Sequence, residues 1–399
     1  MDFVDEFYAD KDLSLLKKLT LVIPTYNRNY YLSRCLWYHA HFPFGEIIVA
    51  DSSPKKEKER IKKMILEIES LSKTTITYLE YEPESMKYGE DIYRKWADAL
   101  FHVKSEYSLI CTDKEFLIPT TAVKCIDYLD QNDDYDTADG QCYTIKYNPQ
   151  IQKSKYYQLV PYDISYDQST PDKRIDALTS PRKNNPPQCS CLPAIHRTEF
   201  HKYIYKCILD FSLEDIRFGD FMPQFLSILC SKRIHFLDDP YVCRDLSNLI
   251  SSNNTINNAE SSAYRYPRIE DYALDHKYNL CRKNAIACTS FVLNNKTKID
   301  TNVSETAEYL TDKFLKQYSL KVDETLYEKT SINKLFHRLY SLGYGILHSD
   351  KYNNIFHKLP ISIIGSPLKA RLCIYKTMTE IDKRVELCNK IIIEFKKIP

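Results

Sequence analysis

Glycine is nearly missing, with 7 residues in a chain of 399. So few cannot build a G-x-G-x-x-G turn or a glycine-rich phosphate loop, and neither motif occurs. Net charge is nearly missing too: 55 Lys and Arg stand against 54 Asp and Glu. A nucleic-acid-binding chain usually carries a basic footprint, so no nucleic-acid partner is expected. No apolar run approaches the ~20 residues that a membrane-spanning helix needs. The opening stretch MDFVDEFYADKDLSLLKKL is acidic and has no apolar secretion segment, so the expected location is cytoplasmic. The 13 cysteines are odd in number, and no C-x-x-C pair occurs; Cys189 and Cys191 are the nearest neighbours. That pattern argues against a disulfide framework and against structural zinc, and reads as small buried hydrophobes.

What is present is alternation. The run LTLVI at 19–23 reads as a strand covered on both faces, followed by a helix over 30–41. EIIVADSS at 46–53 is a second strand and 57–70 a charged amphipathic helix. TTITYLEYE is a third strand, 89–103 a helix, YSLICTDKEFLIP at 107–119 a fourth strand, 120–132 a helix and TADGQCYTI a fifth strand. Strands alternating with helices predict a parallel α/β sheet, and right-handed crossovers put the strand carboxyl ends along one edge. Open sheets of this kind bind ligands there. Three strands deliver polar groups to that edge: Thr25, Asn27 and Arg28; Asp51, Ser52 and Ser53; Asp113 and Glu115. The bland alternative is that strand ends are simply solvated, but three independent strands do the same thing.

A chain of this length is too long for one ordinary core. Residues 146–188 are polar and rich in Tyr and Pro, and read as a long loop. LPAIHRTEFHKYIYK resumes order, and SLEDIRFGDFMPQFLSILCSKRIHFLDDPYVCRD reads as an acidic loop, a helix and a closing strand. The Ser/Asn-rich seam at 250–262 divides an α/β domain, 1–249, from a helical C-terminal domain, 263–399. In the last helix Ile374, Met378, Ile381, Val385, Cys388, Ile392 and Phe395 alternate gaps of four and three, the spacing of a packing stripe. The chain's own helices are its first expected partner, and a homodimer seam the second. Basic neighbours Lys383, Arg384, Lys390, Lys396 and Lys397 leave open a peripheral contact with the inner membrane face. His39, His102 and His235 read as core or face positions, and Trp37 and Trp96 as core.

LTLVIPTYNR, EIIVADSS and YSLICTDKEFLIP, in that order and spacing, resemble family 2 glycosyltransferases. The nearer resemblance is to a bacterial subgroup that reads Asp-Asp-Asp-Phe at its metal motif and carries a later hRTE segment. The match runs over about residues 18–245. It implies a single nucleotide-sugar-binding, Rossmann-like domain of the glycosyltransferase A type. Pro24, Thr25, Tyr26 and Arg28 would line the base and ribose pocket, and Asp51 would bond the base with Ser52 and Ser53 beside it. Arg94 and Lys95, on the helix before the fourth strand, are placed either to add charge near the diphosphate or to be solvated at the surface. Asp113 would face ribose or metal, and Glu115 would coordinate Mn2+ or Mg2+, with His196 a third metal ligand or an acceptor contact. A divalent cation would neutralise the leaving diphosphate. The catalytic base would be Asp220, with Asp215 and Glu214 in reserve. The implied reaction is inverting transfer from a nucleotide-diphosphate sugar to a bacterial surface glycan or lipid-linked acceptor.

The chain departs from that pattern at Lys114, where the subgroup has Asp, at Glu115, one methylene longer than the usual Asp, and at Gly219, where an acid usually precedes Asp220. Those departures keep a second reading open: a nucleotide-sugar-binding or scaffold protein of the same fold that has lost the chemistry. A nucleotidyltransferase is a weaker third reading, because its Gly-rich basic first loop is missing.

Overall fold

Every residue of strand β1 (Leu19–Thr25) is buried, as a strand covered on both faces requires. Leu19, Leu21 and Ile23 enter one apolar core and Val22 the other, the period-two alternation of a pleated strand. Strand β2 (Glu46–Asp51) repeats this, with Ile47 and Val49 on one face and Ile48 and Ala50 on the other. Each such Leu, Ile or Val side chain contributes roughly 1.5–3 kcal/mol by leaving water.

The computed structural model describes residues 3–83, 90–148, 151–159, 165–179, 193–214, 222–245, 276–296, 303–318, 375–377 and 381–395. Helix α1 (Phe3–Tyr8) precedes β1, helix α2 (Asn29–Ala40) joins it to β2, helix α3 (Lys55–Glu69) leads to strand β3 (Ile76–Glu80), and helix α4 (Glu90–Phe101) leads to strand β4 (Tyr107–Ile110). These four strands are parallel, in the order β4-β1-β2-β3. Strand β5 (Glu115–Leu117), helix α5 (Pro119–Gln131), strand β6 (Thr137–Asn148), strand β7 (Lys153–Leu159) and helix α6 (Pro171–Thr179) follow. Then come strand β8 (Ile195–Arg197), helix α7 (Thr198–Asp210), helix α8 (Met222–Cys230) and strand β9 (Ile234–Asp245). The purely parallel expectation is corrected here: β8 runs antiparallel between β4 and β6, β7 is antiparallel to β6, and β5 is antiparallel to β9. Strand β9 lies parallel along β6, with register shifts on both sides of Gln141. At Gly140 a Cβ would stand 2.6 Å from the Cβ of Tyr241, so glycine lets the two strands close at this irregularity.

The C-terminal third is built into the same molecule. Helices α9 (His276–Lys296) and α10 (Val303–Tyr318) place Ala285, Cys288, Leu310 and Phe314 in the core that also holds Val22, Trp96 and Phe225. Strand β10 (Tyr375–Thr377) adds antiparallel to β7 at the sheet edge. Helix α11 (Lys383–Glu394) buries Val385, Cys388, Ile391 and Ile392 in the opposite core, against β6, β9 and α2. The single helix expected from Ile374 is corrected here: residues 375–377 are strand β10, Ile374 and Met378 lie outside the described residues, and the part of the stripe on α11 is covered mainly by the chain's own sheet. Of its basic flank, Arg384 pairs with Asp239 and Asp382, and the Lys390 ammonium stands 4.0 Å from the Phe3 ring centroid. The 250–262 seam lies outside the described residues. Among the described residues no helix is long and apolar enough to cross a membrane.

Candidate functional site

The polar edge assembles at the carboxyl ends of β1, β2 and β4. Register pairs Thr25 with Asp51 and Pro24 with Ala50. On the other side, Thr25 Oγ1 donates to Asp113 Oδ2 at 3.1 Å. Thr25 therefore stands between two buried carboxylates from neighbouring strands. β1 ends because Asn27 takes a left-handed backbone, φ 53°, which Asn tolerates better than most residues. That turn aims the Asn27 N–H at Ser53 Oγ, 2.7 Å away, and Arg28 takes the position just before α2 without a side-chain capping bond. The positive end of the α2 dipole lies at the same edge.

Asp51 is fully buried. Its Oδ1 accepts the Ser53 N–H at 2.8 Å, and its Oδ2 accepts the Tyr78 hydroxyl at 2.7 Å. Burial, and then the Asp51 carboxylate, push the Tyr78 phenol above its ordinary range, so it remains a donor. From α4, the buried Lys95 Nζ donates to Thr25 O at 3.0 Å and to Ser52 Oγ at 2.7 Å. The preceding residue, Arg94, donates from Nε and Nη2 to Glu214 Oε1 at 3.2 Å each. One helix thus joins the β1–β2 edge to the acidic segment. The structure therefore brings together Pro24, Thr25, Arg28, Asp51, Ser52, Ser53, Lys95 and Asp113, with the half-buried Tyr26 in the same loop. Asp215 and Asp220 lie outside the described residues, and Glu214 is the last described residue before them.

The residues expected to hold a metal stand differently. Asp113 Oδ1 accepts Arg28 Nη1 at 3.2 Å, while Oδ2 is the oxygen that Thr25 reaches. Glu115 is buried beside β9: its Oε2 accepts the Thr112 N–H at 2.8 Å, and its Oε1 accepts Arg244 Nε at 2.9 Å and Arg244 Nη2 as well. The β5–β9 register fixes that pair, since Glu115 sits opposite Arg244. Lys114, between the acids, holds its ammonium 4.2 Å from the Tyr31 ring centroid. Burial, then the neighbouring Arg28 charge, lower its pKa from the usual lysine range. His196 is on β8 opposite Ser108, near the start of β4, whereas Asp113 follows the end of that strand. Its Nδ1 lies 2.9 Å from Thr137 Oγ1, and its ring packs 4.3 Å from that of His201. The expectation that His196 joins Asp113 and Glu115 therefore gives way to a buried structural position for this histidine. Among the described residues, the three metal-capable side chains that do approach within 4.8 Å are Cys35, His39 and Cys111. His39 accepts the Leu117 N–H at Nε2 (3.2 Å) and is bonded through Nδ1 to Cys35 O (2.8 Å), so both its ring nitrogens are engaged. Cys35, His39 and Cys111 offer thiols and an imidazole rather than the oxygen ligands that Mn2+ or Mg2+ favours, and the Asp113 and Glu115 carboxylates are each paired with a guanidinium.

Sequence reasoning missed Tyr78, Arg34, Arg244 and Asp245. Arg244 and Asp245 close β9 as a charged pair after Tyr241, Val242 and Cys243, a polar break like the one after β1 that could have marked them.

No family model matches the sequence, and no curated protein matches it. Among solved structures the chain is similar to TarS 1–349 of S. aureus, with a TM-score of 0.45 at 14% identity over 76% of this chain and 72% of that one. It is similar to the same protein in complex with UDP-GlcNAc, with a TM-score of 0.45 at 17% identity over 76% of each chain. For the complex with UDP the TM-score is 0.43 at 15% identity over 76% of this chain and 75% of that one. The α/β assignment stands on the strand order and burial described above and does not depend on these similarities.

Proposed function

We propose that this chain is an inverting glycosyltransferase that uses a nucleotide-diphosphate sugar as donor and a glycan or lipid-linked glycan precursor as acceptor. The observation that carries it is Asp51, Thr25 and Asp113 side by side on three adjacent strand ends, with Lys95 and Arg28 against them. In this reading Asp51 and its Ser52–Ser53 neighbours bond the base, and Asp113 faces the ribose. The motifs that resemble family 2 glycosyltransferases put the same residue types at the same strand ends.

The chemistry is a single displacement. The acceptor oxygen bonds to the anomeric carbon as the bond to the diphosphate oxygen breaks; that electron pair leaves with the diphosphate, and the acceptor proton goes to a carboxylate. A base must lie within hydrogen-bond reach of that proton. Asp220, with Asp215 and Glu214 in reserve, is the assigned group. The expected Mn2+ or Mg2+ is not built into the reading, because Arg28 and Arg244 already hold the carboxylates concerned.

The test is slow release of a nucleoside diphosphate from a panel of donor sugars. Release abolished by Asp113→Ala, in a variant that keeps its melting temperature, supports the transferase. Nucleotide binding with no turnover across the panel favours the binding-protein reading, whose support is the Glu115–Arg244 pair.

A further inference from the structure

The edge that ought to be acidic is not. The residues around the end of β4 are Arg28, Arg34, Lys114 and Arg244 on the cationic side and Asp113, Glu115 and Asp245 on the anionic side. Among the described residues here, four positive groups face three negative ones, a balance of 4 − 3 = +1. A carboxylate cluster that gathers a divalent cation needs a negative balance and open lone pairs. Here the carboxylates are taken in a fixed order: Asp113 by Arg28 and Thr25, Glu115 by Arg244 and the Thr112 N–H, and Asp245 by Arg34. Lys114 remains. No carboxylate lies within salt-bridge distance of its ammonium among the described residues. The Tyr31 ring, 4.2 Å away, holds it instead, and a cation over a ring keeps most of its charge available to a further anion. Its backbone is pinned as well, since Lys114 O accepts the Asp245 N–H at 2.8 Å.

We propose that Lys114, with Arg28, is the resident counter-charge for the leaving diphosphate, so that this site binds a nucleoside diphosphate without a divalent cation. The proposal rests on the donor-site reading above. The ammonium supplies fixed charge where phosphate charge grows, with no ion to recruit, and the start of α2 adds backbone N–H groups at the same edge. Arg28 is half exposed while it holds Asp113, so its outer face is open to phosphate, whereas Arg244 is committed to Glu115 by strand register.

The experiment is calorimetric titration of the full chain with UDP, GDP and dTDP, in EDTA and then with Mn2+. The expected result is binding of at least one of them in EDTA, with affinity changed less than threefold by Mn2+. Lys114→Met should weaken it about tenfold and Lys114→Arg should retain it. Lys114→Asp should weaken binding in EDTA and make it respond to Mn2+, because that substitution reverses the charge balance. Binding that appears only with Mn2+ in the parent chain, or that is indifferent to Lys114→Met, overturns the proposal and leaves the transferase reading standing. No binding of any nucleoside diphosphate, with or without the ion, removes the donor-site reading itself and the proposal with it. Unchanged melting temperatures of the variants tie each effect to the site.

Discussion

Arg34 and Asp245 form an ion pair with no contact to water, and removing one partner should be among the costliest single changes in the protein. Both side chains are 0% exposed, and Nη2 stands 2.5 Å from Oδ2. With charge centres roughly 4 Å apart and an effective dielectric of about 20, their attraction is about 4 kcal/mol. Asp245→Asn deletes that attraction and leaves a guanidinium in the interior whose Nε and Nη1 already lack partners. The expected loss is about 3–5 kcal/mol. Arg34→Met should lose a similar amount, because it takes the guanidinium from the buried Asp245 carboxylate. It also removes a cation stacked 5.3 Å from the Phe116 ring centroid and 5.5 Å from those of Tyr30 and Tyr31, about 0.5–2 kcal/mol more. The double variant should lose little more than either single one, because the buried charges then disappear together; the coupling should be about 3 kcal/mol. Urea unfolding read by tryptophan fluorescence checks this, since Trp37 lies on the same helix as Arg34. With an m-value of about 2–3 kcal/mol/M, Asp245→Asn should move the midpoint down by about 1–2.5 M at unchanged slope. A loss under about 1 kcal/mol, or single losses that simply add, would refute the account of a desolvated, mutually dependent pair.

Asp139 gives a pH signature. Burial pushes its carboxyl up to about 8 from an ordinary 3.8, only partly offset by the Gly140 N–H that it accepts. A group whose pKa is raised in the folded state gives its full stability below the unfolded value and loses it as pH climbs to the folded one, so stability should fall between about pH 4 and 8. Asp139→Asn should flatten that fall and raise stability at pH 7 by up to the order of 4 kcal/mol; an unaltered pH profile by calorimetry would count against it. Gly140→Ala should cost about 1–3 kcal/mol in denaturant titration, because its Cβ meets Tyr241 across the strand irregularity. Asn27→Val, forced to keep a φ of 53°, should lose about 1–2 kcal/mol and weaken nucleotide binding along with it, whereas Asn27→Gly should leave stability nearly unchanged.

The legible parts of the fold were those specified locally. β1 and β2 announce themselves as unbroken apolar runs, and α2, α3 and α5 by period; all fall within about two residues of their expected bounds. What escaped was set by partners far along the chain. The segment YSLICTDKEFLIP reads as one strand, yet it breaks in two where the Glu115 side chain turns back to the Thr112 N–H, and its second half pairs with β9. β7 has the polar composition of a loop, and it is a strand because β6 and β10 hydrogen-bond to it on either side. α6 also lies in the stretch read as loop, where the buried Arg174 fastens it to the Ile228 and Leu229 carbonyls at the end of α8.

The same division decides what the candidate site can do. Thr25, Asp51 and Asp113 converge because parallel strands put their carboxyl ends on one edge, a rule that needs only the order of elements. What those acids face is set by β9, whose pairing with β5 sets Arg244 against Glu115 and brings the Asp245 carboxylate to Arg34. A motif read along the chain counts Asp113 and Glu115 as two ligands for a cation. Read across the sheet, one is half of a strand-to-strand ion pair and the other is shared between a threonine and an arginine. Lys114 then ceases to be an anomaly within an acidic motif. Among the described residues it is the cation with no carboxylate in reach, which is what the proposed role as counter-charge to a diphosphate requires.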